Sequence, residues 1–155
     1  MSKYQPFHTQ GLNFTCTRCS ACCRYESGYV FLSQKDVTEL ASGCKLTYTE
    51  FVKKYCRWVL SADGTERLSL KEKTNLDCIF WDDGCRVYKS RPLQCRTFPF
   101  WPSVLKRKET WELTGKDCPG INHGKLHDLA EIEKILESQE AHPILTRDTL
   151  LREDA

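Results

Sequence analysis

Long apolar runs are the first feature that this sequence of 155 residues lacks. No segment approaches the roughly 20 apolar residues that a membrane-spanning helix needs. The opening stretch MSKYQPFHTQGLNF has no apolar run of the kind found in signal peptides. We therefore expect no membrane association and a cytoplasmic location, where thiols stay reduced.

Several catalytic motifs are also missing. The absence of a glycine-rich phosphate-binding loop argues against the use of ATP. The absence of Gly-x-Ser-x-Gly and His-Glu-x-x-His excludes the commonest serine hydrolases and zinc proteases. No internal repeat or low-complexity segment replaces these motifs, so function has to be sought in another residue type.

Excess charge of one sign is lacking too. The formal charge is +2 with neutral thiols. If eight thiols ionise and hold two divalent ions, eight charges are lost and four return, which leaves −2. The basic run Lys106-Arg107-Lys108 is short, and we interpret it as a solvated turn. No nucleic-acid partner is therefore predicted.

Cysteine is the abundant residue, with ten copies. The stretch CTRCSACCR places Cys16, Cys19, Cys22 and Cys23 within eight residues. A spacing of two residues lets both sulfurs of a pair face one metal from a tight turn. Neighbouring side chains diverge, so one metal is not expected to take all four thiols. The cluster would supply two nearby centres, or one centre with more than one metal. In a reducing compartment such clusters favour metal over disulfides.

Four further thiols stand where loop ligands are expected. Cys78 and Cys85 begin the two arms of a predicted hairpin around Asp83-Gly84, Cys95 lies in a proline-bounded turn, and Cys118 precedes Pro-Gly. Together with the first cluster they would converge and complete two four-thiolate centres. Such centres hold zinc or an iron–sulfur cluster, and the spacing leaves both metals open.

The remaining thiols and a histidine pair receive structural interpretations. Cys44 follows a predicted helix end and Cys56 lies among packing residues, so each is interpreted as a small buried hydrophobe. His123 and His127 are four residues apart. We interpret them as part of a solvated helix start rather than as a metal-ligand pair.

The fold class predicted is α+β: a small, metal-stabilised single domain over residues 1–143, with a flexible tail over 144–155. Two short helices are predicted in the first half and one near the C-terminus, joined by short hairpins. The helices span 34–42, 48–56 and 125–139. The hairpins turn at 63–64 and 83–84, with a third over 103–113, and residues 116–124 form a loop.

The cysteine pattern resembles a known family. CTRCSACC, CIFWDDGCRVYKSRPLQCRTFPF and CPG are similar to the YkgJ-type CxxCxxCC proteins, described as zinc- or iron-chelating domains. The resemblance spans about residues 14–121. It implies that the metal ligands are Cys16, Cys19, Cys22, Cys23, Cys78, Cys85, Cys95 and Cys118. One larger branch includes flagellin lysine N-methylases, but this chain is much shorter, so metal chelation is implied more strongly than methyl transfer.

The segment YKSRPLQCRTFPFW suggests how the centre is used. Tyr88, Arg91 and Arg96 offer a phenol and two forked cations that suit a peptide or an anionic cofactor. The alternative is that both arginines support the thiolates by hydrogen bonding. We expect Arg96 to be structural and Arg91 functional.

Three functions fit these residues. The first is a metalloprotein that docks to a protein or peptide partner, and the second is a metal-dependent protein-modifying enzyme of the lysine N-methylase type. The third, a minor one, is a redox sensor in which Cys22 and Cys23 form a strained disulfide. The sequence carries no prediction of the oligomeric state.

Overall fold

A computed structural model describes residues 6–17, 29–82 and 84–149 of the chain. Its helices are α1 (Gln34–Gly43), α2 (Tyr48–Tyr55), α3 (Leu93–Thr97), α4 (Pro102–Leu105), α5 (Lys108–Gly115) and α6 (Leu129–Ala141). Its strands are β1 (Leu12–Phe14), β2 (Cys56–Leu60), β3 (Glu66–Leu70) and β4 (Ile121–His127). The strands form two separate antiparallel pairs, β1 with β4 and β2 with β3. The predicted α+β class is confirmed.

The chain divides into two compact units, and each is discontinuous in sequence. Unit 1 combines Met1–Ala21 with Thr97–Ala141. Unit 2 combines Cys22–Arg96 with His142–Ala155. Each unit has its own cluster of buried apolar side chains, so each is described by itself below.

Two capping boxes begin the helices of unit 2. In α1 the Ser33 hydroxyl accepts the Asp36 N–H at 3.2 Å, and the Asp36 carboxylate accepts the Ser33 N–H at 2.9 Å. Thr47 and Glu50 repeat this exchange at the start of α2. Each box satisfies amides that the first helical turn leaves without a partner. The two predicted helices of the first half are confirmed.

The hairpin of β2 and β3 supplies the other layer of unit 2. Its register runs from Cys56↔Leu70 to Leu60↔Glu66, with Gly64 at φ +84° in the turn. This is the hairpin that Asp-Gly at 63–64 predicted. The buried side chains of the unit include Leu32, Val37, Leu40, Phe51, Leu68 and Phe80. The apolar faces of the helices and the hairpin therefore share one core.

Residues 144–149 lie against unit 2, where we expected a flexible tail over 144–155. Leu145 is 2% exposed. Its N–H donates to the Leu32 carbonyl at 2.8 Å, and its carbonyl accepts the Leu68 N–H at 3.0 Å. An apolar side chain with both backbone groups paired is favourably buried, so this part of the tail is held in place.

Unit 1 is built on the pairing of β1 with β4. The register is Leu12↔His127, Asn13↔Leu126 and Phe14↔Ile121, with an irregularity between Asn13 and Phe14. The loop predicted over 116–124 is confirmed for 116–120 and wrong from Ile121, where β4 begins, and the helix predicted from 125 is wrong up to His127, where β4 ends. The helix begins only after Asp128, whose carboxylate accepts the Glu131 N–H at 2.8 Å as a capping side chain does.

The hairpin predicted over 103–113 is also wrong, because this stretch forms α4 and α5. Pro102 stands at the start of α4, where its missing N–H costs nothing. Val104, Leu105 and Trp111 are buried in the core of unit 1, and the Trp111 indole donates to Asn122 at 2.9 Å. Burial of these side chains on helices outweighs the strand preference of the sequence.

The longest of the described helices, α6, has 13 residues. None of those in residues 6–17, 29–82 and 84–149 is both long and apolar enough to cross a bilayer.

Candidate metal centre

Unit 1 places Cys16 and Cys118 at the same end of its sheet. Cys16 follows β1, Cys118 precedes β4, and the strands run antiparallel. The pairing continues past the strands, since the Thr15 N–H donates to the Gly120 carbonyl at 3.4 Å. A Cβ at residue 120 would overlap the Thr15 carbonyl oxygen, so this approach requires glycine. The sheet thus aligns two of the predicted ligands.

Both described thiols of unit 1 are accessible. Cys16 is exposed and Cys118 is half-buried, and Cys118 packs against the apolar cluster of the unit. Access is a requirement for a ligand, because a thiol must lose its proton before it binds metal.

In unit 2, Cys78 and Cys85 lie in a loop that is held by isolated β-bridges and backbone hydrogen bonds. Cys78 forms an isolated bridge with Glu72, and Cys85 forms one with Trp81. The Trp81 N–H donates to the Cys78 carbonyl at 2.9 Å. The predicted second hairpin is therefore a tight turn closed by an isolated bridge. The backbone hydrogen bonds of this turn fix the positions of Cys78 and Cys85.

An Asx turn precedes this loop. The Asn75 side chain accepts the Asp77 N–H at 3.1 Å and donates to the Asp77 carboxylate at 3.2 Å. The Asp77 carbonyl then accepts the Lys73 N–H at 2.7 Å. Because Asp77 is buried, the residue just before Cys78 is held firmly.

Cys95, the third predicted ligand that is described in unit 2, lies in α3. That helix is tied to distant parts of the unit, since the Leu93 N–H donates to Asp36 at 3.0 Å. Gln94 accepts the Phe31 N–H at 3.0 Å and donates to the Tyr29 carbonyl at 2.7 Å. The capping motif predicted Asp36 as part of a helix start. Its bond to a residue 57 positions away has no sequence signal.

The other three predicted ligands, Cys19, Cys22 and Cys23, lie outside the described residues. Among the side chains that the structure does describe, no group of three or more His, Cys, Asp or Glu could hold a metal ion. The convergence of all eight thiols into two centres accordingly stays a prediction.

Cys56 differs from all of these thiols. It is 6% exposed and belongs to the core of unit 2, as predicted. Burial raises its pKa to about 12, and the nearby Lys71 charge opposes this only partly. Cys44 is half-buried and packs against the same core. The Cys56 thiol, whose pKa is raised in this way, is unsuited to binding metal.

The segment after Cys85 carries the three residues predicted to bind a cofactor. Tyr88 opens a 3₁₀ turn, Tyr88–Ser90. The Arg91 guanidinium carbon lies 3.9 Å from the centre of the Tyr88 ring, and its Nε donates to the Tyr88 carbonyl at 3.0 Å. Arg96 is exposed. Arg91 and Tyr88 thus form a cation–π pair.

Tyr88 also lines a cavity of about 320 Å³ in unit 2. The cavity is bounded by Leu40, Gly43, Arg86, Val87, Tyr88, Lys89 and Ser90. Arg86 pairs with Asp82, and Lys89 is exposed. The cavity therefore combines an apolar floor with two cations. The sequence predicted Tyr88 as a binding residue. It carried no signal that Leu40 and Gly43 of α1 would line the same cavity.

The two histidines are not part of any predicted centre. His127 lies on β4, where its Nε2 is 3.0 Å from the Phe14 carbonyl oxygen and its Nδ1 is 3.2 Å from Glu131. His123 is exposed on the same strand. The predicted helix start is wrong for both, because they lie on β4. That they are not a metal-ligand pair stays a prediction.

Comparison with known proteins adds a family. The family model CxxCxxCC, described as "Putative zinc- or iron-chelating domain", matches residues 15–119. The uncharacterized protein MJ0661 of Methanocaldococcus jannaschii is 30% identical over 131 residues. The aligned part covers 78% of this chain and 66% of that relative, just under two thirds of its length. No solved structure matches the chain.

Proposed function

Because the chain belongs to the CxxCxxCC family of zinc- or iron-chelating domains, we propose that it binds metal through eight cysteine thiolates in two four-thiolate centres. The observation that carries this proposal is the family match over residues 15–119, a range that contains all eight cysteines. Zinc would supply a structural cross-link between loops, and an iron–sulfur cluster would add one-electron chemistry.

The donor set fits such a group. The five described members, Cys16, Cys78, Cys85, Cys95 and Cys118, are exposed or half-buried. None of them belongs to the fully buried core residues. Their sulfur atoms are therefore within reach of a soft or borderline cation, which thiolates prefer.

Metal content tests this proposal directly. The protein should be purified without oxygen and analysed for Fe, Zn and acid-labile sulfide. Four thiolates per ion predict about two Zn per chain, or iron with an equal amount of sulfide. Cys78→Ser and Cys95→Ser should each lower the metal content and the melting temperature, because a centre loses a ligand.

The matched control is Cys44→Ser. Cys44 is half-buried like Cys78 and Cys95 but is not among the eight ligands, so its change should leave the metal content intact. A wild-type protein without stoichiometric metal would refute the proposal, and so would equal metal loss from all three variants.

We further propose that the cavity at Tyr88 docks a protein partner through an acidic peptide segment. The support is the charge of Arg86 and Lys89 beside an apolar floor, and the neighbouring Tyr88–Arg91 pair, in which the guanidinium carbon lies 3.9 Å from the ring centre. Rim cations guide an anionic partner, and the aromatic ring offers contact area. No described residue favours the lysine N-methylase alternative.

Binding of a fluorescent glutamate-rich peptide tests the docking proposal. Lys89→Gln should weaken binding roughly threefold, as expected for an exposed charge pair, and Tyr88→Ala should weaken it more. Lys134→Gln, exposed on α6, is the control and should change nothing. Arg91→Lys should weaken binding of the peptide and leave the metal content unchanged. Loss of metal together with stability would instead show that Arg91 supports the thiolates.

A further inference from the structure

A second cavity, of about 570 Å³, lies within unit 1 and has no role in the proposed metal centres. It is lined by Pro6, Phe7, His8, Leu105, Lys106, Arg107, Lys108 and Glu109. Its volume is in the range of small-molecule sites. The basic run, interpreted from sequence as a solvated turn, thus borders a cavity at the junction of α4 and α5.

The start of α5, which carries the partial positive charge of a helix N-terminus, borders this cavity. Arg107 is the N-cap residue of this helix of 8 residues. Arginine has no acceptor atom, so its side chain cannot cap the first-turn amides. Its own N–H is bonded to the Thr110 hydroxyl at 3.1 Å. The amides of Lys108 and Glu109 therefore receive no cap from that residue, and such amides favour an anion.

The charges around the opening add up to an excess of cations. Lys106, Arg107 and Lys108 are exposed, and Glu109 is the acidic residue in the same lining set. Lys108 is also 3.8 Å from Glu112 across solvent-exposed side chains, a geometry that neutralises it only weakly. Lys106 and Arg107 remain the cations best placed to hold an anion.

His8 points independently to a ligand. Its side chain lines the cavity and the residue is 7% exposed. Its buried Nδ1 has no hydrogen-bond partner among the residues that the structure describes. Burial lowers the pKa of His8, although the Glu133 charge acts in the opposite direction. A neutral imidazole can carry its proton on Nδ1 and donate it, and a buried donor of this kind is costly unless it is used.

We propose that this cavity binds a phosphorylated small molecule. The phosphate group lies at the start of α5, where it accepts hydrogen bonds from the first-turn amides and from the Lys106 and Arg107 side chains. His8 donates its Nδ1 proton to the same ligand. The organic part packs against Phe7 and Leu105, which supply the apolar wall. None of the lining residues of this cavity is a cysteine, and the proposed binding uses no metal.

Amide chemical shifts of the full chain, titrated with inorganic phosphate and with phenyl phosphate, test the proposal. Shifts should be confined to the first turn of α5 and its neighbours and should saturate near millimolar concentrations. Phenyl phosphate should bind more tightly than inorganic phosphate, because only its ring contacts Phe7 and Leu105. Equal binding of the two probes would refute the organic ligand.

The variants are chosen to separate a site from general charge attraction. Lys106→Gln combined with Arg107→Gln should weaken phenyl phosphate by about tenfold or more. Lys53→Gln combined with Lys54→Gln removes the same charge from an exposed pair on α2 and should leave binding unchanged. Equal weakening by both pairs would mean non-specific attraction and would refute the site.

His8→Phe tests the buried nitrogen while keeping an aromatic side chain. The melting temperature should stay level or rise, since an unsatisfied buried polar atom is removed, while phenyl phosphate binding falls severalfold. Metal content should not change in any of these variants, which distinguishes failure of this site from failure of the metal proposal. Unchanged binding in His8→Phe would refute the role of this residue and with it the site as drawn.

Discussion

At the scale of single residues, burial separates thiols that look alike in the sequence. Cys56 is a core side chain, whereas Cys78 and Cys95 are half-buried. The burial of Cys56 was predicted from the packing residues around it and is confirmed, whereas the ligand role of Cys78 and Cys95 stays a prediction. The degree of burial could not be predicted, since Cys56 is covered by side chains from several separate segments.

Cys56 should make stability depend on pH above 9. Its pKa is about 12 in the folded protein and 9.0 is the ordinary value. Between these values the unfolded chain loses a proton that the folded chain keeps, so rising pH favours unfolding. The free energy of unfolding should fall by about 1.4 kcal/mol per pH unit from this thiol alone.

The measurement is urea unfolding of the wild type and of Cys56→Val between pH 8 and pH 10.5 (roughly the range in which the slope develops). The difference in free energy of unfolding between the two proteins should change by about 1.4 kcal/mol per pH unit. Cys44→Val is the control, because Cys44 is only half-buried. Parallel profiles for the wild type and Cys56→Val would contradict the prediction.

At the scale of elements, the sequence predicted those whose signals are local. The capping boxes at Ser33 and Thr47 mark the starts of α1 and α2, and Asp-Gly marks the β2–β3 turn. Each signal acts within a few residues. For that reason the structure agrees with these predictions in both position and type.

Strand β4 shows why other elements were missed. Its residues are buried at Ile121 and mostly exposed afterwards, so no alternation of apolar and polar residues is present. The strand exists because its backbone pairs with β1, more than 100 residues earlier. Its irregular sequence includes Gly124 at φ +78°, where only glycine fits beside Thr15. Long-range backbone pairing of this kind leaves no periodic signal.

At the scale of the whole molecule, the predicted ligand set is distributed over both units. Cys16 and Cys118 are in unit 1, and Cys78, Cys85 and Cys95 are in unit 2. The sequence identified these positions by type and spacing. It could not predict that Cys16 and Cys118 lie at the same end of one sheet, because that depends on the register of β1 with β4.

Unit 2 likewise depends on a segment from the far end of the chain. Leu145 contributes a buried side chain, donates to Leu32 and accepts from Leu68. Its neighbour Ile144 is 39% exposed. The two residues are adjacent and similar in chemistry, so they form a matched pair for testing how far the C-terminal segment stabilises the unit.

Leu145→Ala should lower the free energy of unfolding by about 2–4 kcal/mol, as removal of a buried leucine side chain usually does. Ile144→Ala should cost less than about 1 kcal/mol, because much of that side chain already contacts water. Urea unfolding measures both values.

Removal of residues 144–155 should also speed hydrogen exchange at the Leu68 amide, whose acceptor is the Leu145 carbonyl at 3.0 Å. Equal costs for the two alanine variants, with slow exchange kept at Leu68 after truncation, would show that the segment only rests on the unit. Unequal costs and fast exchange would show that it completes the core.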